Sequence, residues 1–181
     1  MRIKLLKNYL IHLIIFPTLI FSGGCSSIVG LIEEKVARKC DSNVRSDNWH
    51  NCKGYKSFSS GDRYQGYFMN GKRNGLGTYK WPNGDIYKGE WSNGKQNGEG
   101  TYKWPNGNIY KGEWSNGKRN GEGTLTWSNG DIYKGEWVNS KETGEGTFTW
   151  SNGDYYVGEW SNGKRNGEGT LTWSNGDIYK G

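Results

Sequence analysis

Tyr64, Tyr87, Tyr110, Tyr133, Tyr156 and Tyr179 follow one another at a fixed interval of 23 residues. Trp91, Trp114, Trp137 and Trp160 keep the same interval, as do Trp81, Trp104, Trp127, Trp150 and Trp173. A period of this size restricts the chain to repeat architectures, in which each unit is one supersecondary element that buries its apolar face only against its neighbours. A worn copy precedes Tyr64: Phe58 stands where Trp81 stands one interval later, and Gly61-Asp62 matches Gly84-Asp85.

Within each repeat the period is two. In "YKGEWS", Tyr110, Gly112 and Trp114 alternate with Lys111, Glu113 and Ser115, and in "EGTLTW", Gly123, Leu125 and Trp127 alternate with Glu122, Thr124 and Thr126. Such alternation predicts strands with one aromatic face and one polar face. Glycine recurs too often for helix. Asn-Gly pairs lie between the strand patterns. "WPNGD" at 81–85 and "WSNGD" at 127–131 are read as type I′ hairpin turns, which need positive φ at both central residues; "NGKRNG" at 116–121 is read as the longer turn. The expected fold is all-β: an elongated antiparallel meander of about twelve short strands in repeated hairpins.

Strand glycines such as Gly89, Gly112 and Gly123 fall on the aromatic face, where the missing side chain opens a slot for a Trp or Tyr ring of the neighbouring hairpin. The expected repeat core is therefore Tyr87, Gly89, Trp91, Trp104, Tyr110, Gly112, Trp114, Trp127, Tyr133, Trp137, Trp150, Tyr156 and Trp160. Composition agrees. Only 32% of the 181 residues are hydrophobic, yet 15% are aromatic, with 30 Gly and 10 Trp. Low aliphatic content alone would suggest disorder, but disordered segments are poor in aromatics. Because one hairpin buries little by itself, stability should rise with repeat number.

The first segment differs. "MRIKLLKNYLIHLIIFPTLIFSGGCSS" places Arg2, Lys4 and Lys7 before an apolar run from Tyr9 to Phe21, then small residues leading into Cys25. This is the layout of a secretory signal peptide over 1–24, and the run is short for a membrane span. The small residues before Cys25 resemble the lipobox of bacterial lipoproteins, although Ser22 stands where that family has an aliphatic residue. The resemblance implies cleavage before Cys25, lipidation of it, and export to the cell envelope. Several acyl chains give stable anchoring. A plain signal peptide or an uncleaved anchor is the alternative. Ser26 after the cysteine resembles the pattern favouring the outer membrane over the inner.

Residues 25–52 are expected as a lipid-anchored tether, with a partial apolar stripe at Ile28, Leu31, Ile32 and Val36 suggesting a short helix. With Cys25 lipidated, Cys40 and Cys52 remain as an even pair, and an oxidising compartment favours a disulfide contributing about 3 kcal/mol. Free thiols and metal binding are the alternatives; a zinc site using His50 would lack a ligand. Removing residues 1–24 leaves 21 basic against 18 acidic residues, too small an excess to imply a nucleic-acid partner.

From about residue 54 onward, the motifs Tyr-x-Gly-Glu-Trp, Asn-Gly and Gly-x-Gly resemble the MORN (membrane occupation and recognition nexus) repeat, with five near-complete copies from Tyr64. The resemblance implies an array without its own catalysis, used for scaffolding, dimerisation or membrane association, and hence a partner that is another protein or a second copy. The first copy carries Tyr67-Phe68 for Glu-Trp. The fourth, "WVNSKETGEG", has Ser140 for the turn glycine and Thr143 for Asn, so an altered turn is expected there. The last copy stops at Gly181, which leaves an edge to be paired by a partner or an incomplete reading frame.

No catalytic arrangement is legible. His12 lies in the signal segment and His50 outside the repeats, so a nucleophile–His pairing has little to draw on. Glu90, Glu113, Glu136 and Glu159 recur in every repeat, whereas an active site is needed once; cross-strand pairing with lysine is the expected role. No metal, cofactor or small-molecule substrate is indicated. Two binding surfaces are candidates. The aromatic rows could stack on wall glycans or surround quaternary ammonium groups. Lys72, Arg73, Lys95, Lys118, Arg119, Lys164 and Arg165 recur in the long turns and form a candidate basic stripe toward phospholipid headgroups.

Overall fold

The computed structural model describes residues 38–181; the expected signal peptide, Cys25 and the short helix after it lie outside the described residues. The described chain forms one sheet of thirteen strands in sequence order. These are β1 (Arg38–Lys39), β2 (Cys52–Ser57), β3 (Arg63–Met69), β4 (Lys72–Lys80), β5 (Ile86–Ser92), β6 (Lys95–Lys103), β7 (Ile109–Ser115), β8 (Lys118–Thr126), β9 (Ile132–Val138), β10 (Lys141–Thr149), β11 (Tyr155–Ser161), β12 (Lys164–Thr172) and β13 (Ile178–Lys180). β2 to β13 pair antiparallel with their chain neighbours, and β1 adds in parallel at the edge of β2.

The register sets glycine opposite glycine across the whole sheet. Gly54 faces Gly66, Gly66 faces Gly77, Gly77 faces Gly89, and the row continues through Gly100, Gly112, Gly123, Gly135, Gly146, Gly158 and Gly169. One ring type fills the slot this opens: the tyrosine. A Cβ on Gly123 would overlap the Tyr110 hydroxyl and lie 2.6 Å from its ring carbons, and Gly100 stands in the same relation to Tyr87. The tryptophans pack beside the slot. The Tyr87–Trp91, Tyr87–Trp114, Tyr110–Trp114, Tyr110–Trp137, Tyr133–Trp137 and Tyr133–Trp160 pairs are all edge-to-face at 5.0–5.3 Å, a favoured aromatic geometry. Tyr64, Tyr87, Tyr110 and Tyr133 are fully buried in this column.

The turn assignment inverts the expectation. Asn93-Gly94 and Asn116-Gly117 have positive φ at both residues and form the tight two-residue turns, joining β5 to β6 and β7 to β8. The Trp-x-Asn-Gly-Asp segments are the longer loops. In 81–85 only Gly84 has positive φ, its amide donates to the Trp81 carbonyl, and the Trp81 amide donates to Asp85. Pro82 suits the second position of this type I turn but does not dictate it: the Ser128, Ser151 and Ser174 loops have the same bond and positive φ at the glycine alone. The second Asn-Gly, replaced by Thr143-Gly144 in the fourth repeat, is no turn at all. Gly98 sits inside β6 at φ 69°, where the register slips between Gly89 and Trp91. It is a bulge residue. Ser140 does not alter its turn: it adopts φ 69° beside Asn139 at 52°, keeping the geometry at a conformational cost.

Residues 38–52 are not a loose tether. Cys40 and Cys52 are disulfide-bonded, with Cα atoms 4.9 Å apart. Trp49 packs edge-on against Phe68 at 4.9 Å, its indole N–H donates to Asp41 and Val44 carbonyls, and its carbonyl accepts from Gly71. This segment covers the first end of the aromatic column. Phe68 does there what tryptophan does in later repeats.

Candidate interaction surfaces

On the aromatic face, each slot tyrosine donates its hydroxyl to the carbonyl three residues on: Tyr64 to Tyr67, Tyr87 to Glu90, Tyr110 to Glu113, Tyr133 to Glu136 and Tyr156 to Glu159, at 2.9–3.3 Å. These bonds span the bulges. Burial pushes the phenols of Tyr64, Tyr87, Tyr110 and Tyr133 well above the ordinary tyrosine range. Trp91, Trp137 and Trp160 donate their indole N–H groups to the carbonyls of Gly77, Gly123 and Gly146; Trp114 has no such partner. These rings bind one another. The second row, Trp81, Trp104, Trp127 and Trp150, is half-buried.

The seven candidate basic residues separate into two kinds. Lys72, Lys95, Lys118 and Lys164 are exposed at the tight-turn edge. Lys118 reaches Asn139 of the next turn at 3.2 Å. Arg73 and Arg119 instead fold inward over the rings. The Arg73 guanidinium stands 4.5 Å from Trp91 and 4.6 Å from Tyr79, and donates to the Gly94 carbonyl at 2.6 Å. Arg119 stands 4.2 Å from Trp137 and donates to the Ser140 carbonyl at 2.9 Å. Burial lowers the pKa of Arg119, and the charge of Glu142 opposes that. These two half-buried arginines are held against the ring column by cation–π contacts and turn away from a headgroup-facing stripe. Arg165 is exposed over Trp150 and Tyr156. The signal available in the sequence was the series Arg73, Gln96, Arg119, Glu142, Arg165 at the 23-residue interval.

The polar face is built differently. Its strands set Thr78 opposite Lys88, Thr101 opposite Lys111 and Thr124 opposite Lys134. Glu99 faces Glu113 and Glu122 faces Glu136, so the repeated glutamates do not pair with lysine across strands. Glu90 accepts from the Glu99 amide, Glu113 from Glu122 and Glu136 from Glu145, which caps each bulge. Burial, followed by the charges of Glu113 and Glu90, raises the Glu99 carboxyl above its usual range. Between the two rows, an open groove of about 620 Å³ runs over Gly66, Gly77, Gly89 and Gly100, walled by residues that include Lys88, Lys111, Thr101, Leu76 and Glu99.

Five consecutive matches to the MORN repeat model cover residues 64–86, 87–109, 110–132, 133–155 and 156–178. The chain belongs to the MORN-repeat family. No curated protein matches it. Among solved structures, it is similar to the TCP domain of Drosophila melanogaster SAS-4 (dCPAP) in complex with a proline-rich motif of Ana2 (dSTIL). That match has 14% identity and a TM-score of 0.34, over 91% of this chain and 97% of that one. The TCP10 domain of Danio rerio CPAP, in complex with a STIL peptide, has 12% identity and a TM-score of 0.31, over 71% and 74%. Virginiamycin B lyase from Staphylococcus aureus has 11% identity and a TM-score of 0.22, over 74% and 55%. At these scores the likenesses bear on neither the shape nor the function of the MORN array. Among the described residues, no cluster of His, Cys, Asp and Glu is placed to hold a metal ion.

Proposed function

We propose that this MORN-repeat protein is a non-catalytic lipoprotein of the bacterial cell envelope, exported and tethered through Cys25, with the outer membrane favoured. Its repeats act as a protein-interaction scaffold. The observation that carries the scaffold reading is the contrast between the two sheet faces. The aromatic face spends its rings on one another, whereas the polar face leaves a glycine-floored groove open, walled by threonine and lysine on one side and carboxylates on the other. A partner segment lying along that floor meets backbone, charge and hydroxyl groups at every strand step. Photocrosslinkers at Thr101 in the groove and at Asn106 on an exposed loop separate docking from proximity. A discrete adduct from Thr101 alone is expected; equal yields from both positions would remove the reading. For the anchor, Cys25→Ala releases the protein from membranes, and unchanged retention would refute lipidation.

A second reading rests on the exposed lysines Lys72, Lys95, Lys118 and Lys164 along one edge, which suit anionic phospholipid headgroups. It predicts vesicle binding by the Cys25→Ala protein that requires anionic lipid and fades as salt rises.

A further inference from the structure

Arg73 and Arg119 each fill an aromatic box from within the chain. Around Arg119 the box is Trp137, Tyr110 and Trp104. Around Arg73 it is Trp91, Tyr79 and Tyr64. In both, a guanidinium N–H also meets a carbonyl of the next tight turn. The repeat after Arg119 has the same box without the cation. Its walls are Trp160, Tyr133, Phe148 and Trp127: Tyr133 lies 5.0 Å from Trp160, Phe148 stacks on Trp160 at 6.3 Å, and Trp127 lies 5.3 Å from Phe148. The residue at the arginine position is Glu142. Its carboxylate lies beside the turn, Oε2 being 3.1 Å from where a Cβ on Gly163 would stand.

Exposure of the corresponding tryptophans differs along the array. Trp137 and Trp91, beneath arginines, are 1% and 4% exposed; Trp114, in the repeat that has Gln96 at the arginine position, is 8% exposed. Trp160, in the repeat that has Glu142 there, is only partly buried. A partly buried tryptophan with a carboxylate at the position of the internal cation has the quadrupole and the countercharge that a cation from outside needs.

We propose that the Glu142 box is a receptor for a guanidinium group supplied in trans, such as an arginine side chain of a partner protein. The guanidinium stacks on Trp160, as Arg119 does on Trp137. It donates to the Glu142 carboxylate and to the Gly163 carbonyl, the counterpart of the acceptors used by Arg73 and Arg119. A planar donor suits this combination of ring face, carboxylate and carbonyl better than a compact ammonium. Arg119, whose charge already interacts with that of Glu142, is held by its own box and by the Ser140 carbonyl. Arg165 is taken up over Trp150 and Tyr156. The box lies on the face opposite the groove, so it stands or falls separately from the scaffold reading.

The test titrates ethylguanidinium into the exported full chain carrying Cys25→Ser, following the indole N–H resonances of the tryptophans by ¹H–¹⁵N spectra. The Trp160 resonance is expected to shift saturably, while those of Trp91 and Trp137 follow only the weak linear drift of bulk solvent. Glu142→Arg, which places an internal cation in the box, abolishes the saturable shift with the sheet intact by dispersion of the remaining indole signals. Glu142→Gln weakens it several-fold. A Trp160 response no different from that of Trp91, or one unchanged in Glu142→Arg, overturns the proposal. Tetramethylammonium, which lacks N–H donors, is expected to bind more weakly; equal or tighter binding overturns the assignment to guanidinium.

Discussion

The two long edges of the sheet are built from the same dipeptide and hold together in different ways. At the tight-turn edge, Asn-Gly has both residues at positive φ, and each turn is hydrogen-bonded to the repeat before it: Gly94 to Arg73, Gly117 to Gln96, Ser140 to Arg119 and Gly163 to Glu142. Side chains from the repeat interior, Arg73 and Arg119, reach out to that edge and tie it to the ring column. At the loop edge only the glycine has positive φ, and the ties are carboxylate or amide rungs. Asn108 accepts from the Ser128 amide, Asp131 from Ser151 and Asp154 from Ser174. One edge is locked through the aromatic core and the other through its own surface, so damage should travel further from the first.

The glycine row between the edges is common to both, and its failure should not distinguish them. Gly123→Ala drives a methyl into the Tyr110 hydroxyl and ring. Overpacking of this kind is expected to cost about 3 kcal/mol. Urea unfolding should show a large loss of stability. A cost below that of the edge variants would mean that the tyrosine column can move aside and is not what joins the repeats.

The tight-turn edge gives the next largest effect. Arg119→Ala removes a half-buried cation from three rings and leaves the Ser140 carbonyl without its side-chain donor. The expected cost is about 2 kcal/mol. Lys118, its sequence neighbour, is exposed, and Lys118→Ala should change stability by less than about 0.5 kcal/mol. Thermal midpoints of the pair test the claim that adjacent basic residues do unlike work. Equal effects would return Arg119 to the surface.

That difference between neighbours shows where the sequence was readable. The 23-residue period, the two-residue alternation and the sidedness of the sheet all followed from residue types such as Tyr110, Gly112 and Trp114, because each records which face a strand position occupies. The three kinds of Asn-Gly were not separable by composition. Asn93-Gly94, Asn97-Gly98 and Asn83-Gly84 differ in whether the register places them in a tight turn, at a bulge or in a longer loop. The inward fold of Arg73 and Arg119 was hidden for the same reason. Only the bulge places an arginine of one strand over the tryptophan of the next. Residues 38–52 gave no repeat pattern, so their role in covering Phe68 depended on contacts distant in sequence.

The loop edge offers a test by proline. Pro82 and Pro105 already occupy the position of Ser151 in earlier repeats, so the backbone there accepts proline, but the rung is then missing. Asp85, whose Oδ1 would take the amide of residue 105, has the Tyr102 side chain as its neighbour instead. Ser151→Pro should therefore cost about 1 kcal/mol, the loss at the Asp131 carboxylate exceeding what proline gains by restricting the unfolded chain. In an Asp131→Ala background the lost rung no longer counts, and the same substitution should become mildly stabilising. No change of sign between the two backgrounds would mean that the rungs contribute nothing to this edge.

The smallest effect sets the two edges against each other at one residue. Ser140 is the only non-glycine second residue among the tight turns formed by Asn70, Asn93, Asn116, Asn139 and Asn162. It holds φ at 69°, which costs an L-residue about 1–2 kcal/mol. Its hydroxyl recovers part of this by accepting from the Arg119 amide at 3.2 Å. Ser140→Gly relieves the strain, loses that bond and loosens the unfolded chain, so the expected net gain is about 0.5 kcal/mol. For a chain of this length that raises the thermal midpoint by about 1–2 °C. A fall instead would show that the serine hydroxyl outweighs the strained backbone. This edge would then rest partly on side-chain rungs, as the other does, and the contrast between them would narrow to the arginines.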